Sequence, residues 1–61
     1  MDDALLTVTE VSERLKVDEE TVRRWLRRGD LSGIRLGGGR SGWRVEPAEL
    51  ARFVQSKKAA A

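Results

Sequence analysis

Between Asp18 and Gly29 lie ten residues without Gly or Pro, Glu19-Glu-Thr-Val-Arg-Arg-Trp-Leu-Arg-Arg28. This run constrains the fold more than any other part of the chain. Asp favours the position that opens a helix and Gly the one that closes it, so the segment reads as a helix over about 19–28. Setting Val22 at zero and stepping about 100° per residue puts Leu26 at roughly 40° and Trp25 at roughly 300°. These three define a buried side. Glu20, Arg24 and Arg27 fall opposite, flanked by Thr21, Arg23 and Arg28. The chain must therefore bury one narrow stripe and turn four arginines outward.

The flanking segments supply what the stripe packs on. Thr7-Val-Thr-Glu10 matches a capping box, with Leu6 placed to staple onto Val11. Val8, Val11 and Leu15 share a helical stripe, which predicts a first helix over about 8–15. Lys16-Val17 is then a turn, and the helix-to-helix link has the length of a helix-turn-helix. After Gly29-Asp30, two alternating runs, Leu31 to Leu36 and Trp43 to Val45, surround the Gly-rich stretch 37–42, the pattern of a β-hairpin. Ile34 and Leu36 are expected on its core side, with Arg35 and Arg44 together on its polar side. Pro47 suits the first position of a third helix, whose apolar stripe is Leu50, Phe53 and Val54. The expected core is Val8, Val11, Leu15, Val22, Leu26, Ile34, Leu36, Val45, Leu50, Phe53 and Val54, with Trp25 at its edge.

The predicted fold class is mostly α with a small β-hairpin, a winged helix-turn-helix in one domain over 1–61. Residues 1–5 and 56–61 are expected to be flexible. A chain of 61 residues buries only about 60% of its unfolded surface, which leaves little room for a deep substrate pocket. It contains no Cys and no His, so thiolate metal sites, disulfides and the commonest general base are missing. Ser and Thr lack a His to activate them, and the carboxylates in 1–20 have helix-capping duties. We expect no enzyme, no cofactor, no metal and no small-molecule ligand. The acidic start lacks the features of a signal peptide, and no run reaches the length of a membrane span. The expected location is the cytoplasm of a bacterial or phage-infected cell, at the nucleoid.

The net charge of +2 conceals a strong segregation. Residues 1–20 carry a net −5, residues 21–44 a net +6, and residues 45–61 a net +1. One surface is thus directed at a polyanion. Guanidinium groups pair bidentately with guanine or with phosphate oxygens, and a carboxylate accepts from cytosine N4. A recognition helix reads bases mainly from its N-terminal residues. Glu20, Thr21 and Arg24 are therefore expected to read bases. Arg23, Arg27 and Arg28 lie nearer phosphates, with Arg35, Arg40 and Arg44 on the hairpin and Arg40 at its tip. The expected partner is double-stranded DNA. A plain surface helix is the alternative: Glu19/Arg23 and Glu20/Arg24 are favourable i,i+4 pairs, and acid at the start with base at the end suits the helix dipole. Against it, Arg23/Arg27 and Arg24/Arg28 repel at the same spacing. The glycines do not match a phosphate-binding loop, whose terminal Gly-Lys-Ser/Thr is absent.

The runs Leu5-Leu-Thr-Val-Thr-Glu-Val11, Leu15-Lys-Val-Asp-Glu-Glu-Thr-Val-Arg-Arg-Trp-Leu-Arg-Arg-Gly-Asp-Leu31, Ile34-Arg-Leu-Gly-Gly-Gly-Arg40 and Trp43-Arg-Val45, with a Leu-x-x-Phe helix, resemble the excisionase/MerR-type DNA-binding domain. The resemblance spans about Leu5 to Val54. It implies a second helix in the major groove and a wing in the adjacent minor groove. It further implies an excisionase, or recombination directionality factor, that binds direct repeats beside neighbouring copies of itself and bends DNA for an integrase. A small BldC-like transcription regulator is the alternative, followed by a protein-interaction module or a fragment of a DNA-packaging subunit. Full MerR regulators add a dimerising coiled coil and an effector domain after this region. The chain ends after its third helix, so neither is expected here.

Overall fold

Thr7 serves two elements at once. In the computed structural model, which describes residues 5–37 and 42–60, it ends the short strand β1 (Leu6–Thr7) and caps helix α1 (Val8–Leu15). Its Oγ1 accepts from the Glu10 amide at 3.1 Å, and Glu10 Oε1 accepts from the Thr7 amide at 2.8 Å. This is the capping box expected from the local pattern. Lys16 closes α1 in the left-handed conformation, φ 59°, and Val17 donates to Ser12 O at 3.0 Å.

Helix α2 (Glu19–Arg28) follows. Asp18 takes the N-cap position in an extended conformation, but its side chain makes no capping hydrogen bond. A bond between helices stands nearby: Thr9 Oγ1 donates to Glu19 Oε2 at 2.8 Å. Gly29 ends α2 at φ 85°, a conformation that favours Gly. The Asp30 and Leu31 amides then both donate to Trp25 O, turning the chain so that Leu31 drops into the core at 1% exposure.

Strands β2 (Ile34–Arg35) and β3 (Trp43–Val45) pair antiparallel, and β1 joins the other edge of β3. The sheet therefore has three strands in the order β1-β3-β2, one more than the hairpin expected from the sequence. Its register places Leu6 opposite Val45, Thr7 opposite Arg44, Ile34 opposite Arg44, and Arg35 opposite Trp43. Cross-strand partners share a face. One face thus holds Leu6, Val45, Trp43 and Arg35, and the other holds Thr7, Arg44 and Ile34.

This register corrects two expectations. Ile34 and Leu36 are not core residues; they are 38% and 60% exposed. Arg35 and Arg44 do not share a face. The cause lies in Gly33, where an added Cβ would stand 2.5 Å from Leu26 Cδ2 and 3.1 Å from Arg44 O. Gly33 brings the strand backbone down onto Leu26, so alternation turns Ile34 to the opposite face and leaves Arg35 on the Trp43 face, where it stays exposed.

Helix α3 (Pro47–Ala60) begins with Pro at its first position and with the Leu50 amide donating to Glu46 O at 3.1 Å. It runs through residues 56–60, where a loose tail was expected. The core comprises Leu6, Val8, Val11, Val22, Leu26, Leu31, Val45, Leu50 and Phe53. Leu15, Val17, Trp25, Trp43 and Val54 pack around it, half-buried. Leu15 and Val54 are thus peripheral, while Leu6 and Leu31 complete the centre. Among the described residues Ser12 is the buried polar one, and its hydroxyl donates to Thr9 O at 2.8 Å. No buried side-chain polar atom among the described residues lacks a partner.

Candidate nucleic-acid interface

Val22 and Leu26 anchor α2 in the core at 0% and 4% exposure. Trp25 adds a half-buried ring whose centroid lies 4.9 Å from that of Phe53, tilted by 49°. Trp25 is therefore a packing residue. With this stripe fixed, helix periodicity turns Glu20, Arg24 and Arg27 to solvent.

The charges on that face are arranged in a way the sequence did not reveal. Glu20 Oε2 accepts from Arg27 Nη2 at 3.0 Å, and Oε1 accepts from Arg23 Nε at 3.3 Å. Arg23 also lies 3.7 Å from Glu19, the i,i+4 pair that the sequence suggested. The other suggested pair, Glu20 with Arg24, is not formed, because Arg23 and Arg27 occupy both carboxylate oxygens. First the Arg27 hydrogen bond and then the Arg23 one hold the Glu20 carboxyl below its ordinary pKa. Arg28 lies 3.6 Å from Asp30. Arg24 is exposed and has no ion pair among the described residues. Thr21 is half-buried one turn before it.

The hairpin residues divide between the two sheet faces. Arg35 is stacked: its Cζ lies 5.0 Å from the Trp43 ring centroid, and its Nε donates to Gly37 O at 3.2 Å. Arg44 is half-buried on the opposite face, its Nη1 donating to Trp43 O at 2.8 Å. Arg40, the expected tip residue, lies outside the described residues. Glu20, Thr21, Arg23, Arg24, Arg27 and Arg28 thus share one helix, whereas Arg35 and Arg44 are separated by the sheet.

Two residues that shape this face were not among the candidate site residues read from the sequence. Thr9 holds Glu19 from α1, ten positions away, beyond any local pattern. Asp30 partners Arg28 from just past the helix stop, where its nearness to Gly29 gave a usable signal.

The described residues contain no cluster of three or more His, Cys, Asp or Glu able to hold a metal. None of the described helices is long and apolar enough to cross a membrane.

No curated protein and no solved structure matches the chain. A family model does, the one described as a helix-turn-helix domain, over residues 5–58. That span contains all of α1, the turn, α2 and the three strands, and the match supports DNA as the partner. With α1 and α2 joined by a short turn and a small sheet packed beside them, the chain belongs to the helix-turn-helix domain family.

Proposed function

We propose that this protein binds duplex DNA by laying α2 in the major groove, with Arg24 as its principal base reader. The observation that carries the reading is the state of Arg24. It is an exposed guanidinium without an ion pair among the described residues, on a helix whose other three arginines each have one. A free guanidinium keeps its fork of donors for guanine O6 and N7. Thr21 precedes it by one turn and supplies a hydroxyl to the same stretch of groove. Arg23, Arg27 and Arg28 serve phosphates on either side. Glu20 projects among them from the DNA-facing end of the helix.

The sheet plays the part of a wing. Arg44 on its outer face and Arg40, in the Gly-rich run between β2 and β3, are the proposed phosphate or minor-groove contacts. Arg35, stacked on Trp43, sets the base from which the wing rises and reaches DNA only with its remaining donors.

The finer role is that of an excisionase-type recombination directionality factor, which binds direct repeats, bends them and presents them to an integrase. The supporting feature is the likeness of the Thr21-Val-Arg-Arg-Trp-Leu-Arg-Arg-Gly-Asp-Leu31 run and the Gly-rich wing to that group. Selection of bound duplexes from a randomised pool at about physiological salt tests both levels. A short enriched motif recurring in direct repeats is the expected outcome. A pool that stays random while the protein binds it would refute sequence reading by Arg24.

A further inference from the structure

A helix with four arginines would attract every duplex alike if all four were free, since phosphate attraction carries no sequence information. The structure holds a device that limits this. Glu20 lies in the first turn of α2, so its carboxylate projects from the end of the helix that enters the groove. Its two oxygens are spent on Arg27 and Arg23, at 3.0 and 3.3 Å. The ion-paired stripe runs over two helical turns, with Arg24 left open beside it.

We infer that Glu20 is a built-in counter-ion that sets sequence discrimination, holding Arg27 and Arg23 back from phosphates so that Arg24 meets the duplex first. This deepens the DNA-binding reading of α2 and rests on it. A phosphate that approaches Arg27 must exchange with the Glu20 oxygen already there, and it meets the repulsion of that carboxylate. Random DNA is held by phosphate contacts alone, so it bears this cost without return. At a cognate site, base-edge hydrogen bonds from Arg24 and Thr21 offset it. Glu20 is thus a positioning residue that weakens the wrong complexes more than the right one.

A simpler account exists for an acid at this place, because a carboxylate in the first turn suits the helix dipole. Glu19 separates the two accounts. It carries the same charge one residue earlier and has the same dipole benefit. Its oxygens, however, serve Thr9 at 2.8 Å and only the more distant Arg23 at 3.7 Å. Removing Glu19 changes the charge without releasing Arg27.

The experiment compares wild type, Glu20→Gln, Glu20→Asp and Glu19→Gln by titration on a selected duplex and on a scrambled duplex of equal length, over a salt series. Glu20→Gln is expected to bind the scrambled duplex about three- to tenfold tighter and the selected one within about twofold of wild type. The salt slope on scrambled DNA should steepen by about one, the share of one released arginine. Glu20→Asp keeps the charge but shortens the reach to Arg27, and it should reproduce part of the rise. It stands in for Glu20→Gln if that variant fails to fold. Equal changes on both duplexes, or a Glu19→Gln shift as large as that of Glu20→Gln, would overturn the inference while leaving the DNA-binding reading intact. A wild-type protein that binds neither duplex would overturn both.

Discussion

Arg35 lies over the ring of Trp43, its direct cross-strand partner, with Cζ 5.0 Å from the ring centroid. An arginine that sequence alternation assigns to the polar side of a hairpin is thus a structural lid on a half-buried indole. Replacing it with Ala should cost about 0.5–1 kcal/mol of stability, the range for an exposed cation–π pair. Urea unfolding monitored by Trp fluorescence would measure this. A variant as stable as wild type would show that the stacking contributes nothing.

Arg24 should behave in the opposite way. Arg24→Ala removes an exposed side chain without a partner among the described residues, so stability should stay within about 0.5 kcal/mol of wild type. Affinity at the selected site should fall by about 1–3 kcal/mol, with discrimination lost at one base position. Parallel titrations on the selected site and on its single-base variants check this. Equal losses on selected and scrambled DNA would remove Arg24 from base reading.

Gly33 is the hinge of the sheet register. An alanine there would put its Cβ 2.5 Å from Leu26 Cδ2, inside the core. Gly33→Ala should destabilise the domain by about 1–3 kcal/mol through overpacking. The denaturation midpoint reads this directly, and an unchanged midpoint would mean that the Leu26 contact can relax at no cost.

Lys16 holds a left-handed backbone, φ 59°, at the end of α1. For a residue with a Cβ this costs about 1–2 kcal/mol, which Gly does not bear. Glycine's greater freedom in the unfolded chain returns part of that difference, so Lys16→Gly should raise stability by up to about 1 kcal/mol. Thermal melting would detect the gain, and a loss would contradict the backbone reading.

Glu20 gives the acid limb of stability a specific origin. Its folded pKa is depressed by Arg27 and then Arg23, so its contribution is complete above the ordinary glutamate value of 4.5 and is lost as pH falls below that value. Wild type should therefore lose stability more steeply than Glu20→Gln on acidification below about pH 4.5. Melting both proteins over an acidic pH series tests it. Superimposable acid limbs would show that the ion pairs do not persist in solution.

Much of this fold was legible because its signals are local. The Thr7–Glu10 box, the Gly29 stop and the Pro47 start each depend on residues within one turn. The stripe of Val22, Trp25 and Leu26 follows from helix period alone and led directly to the outward arginines. The sheet was harder. Ile34, Arg35 and Leu36 show alternation, but alternation does not say which set faces inward, and a shift of one residue exchanges the faces. The deciding contact, Gly33 against Leu26, joins segments that no sequence period relates. Leu6–Thr7 is too short to announce itself as a strand. On α2, the i,i+4 rule could not choose among three arginines competing for Glu20, and Arg24 was left free by that competition.

The central claim is that the arginine face of α2 meets a phosphate backbone. Titration of a labelled duplex with wild-type protein between about 50 and 200 mM salt tests it most directly. With about six phosphates neutralised, log affinity should fall against log salt with a slope near −5. A slope close to zero, or no binding at the lowest salt, would contradict it.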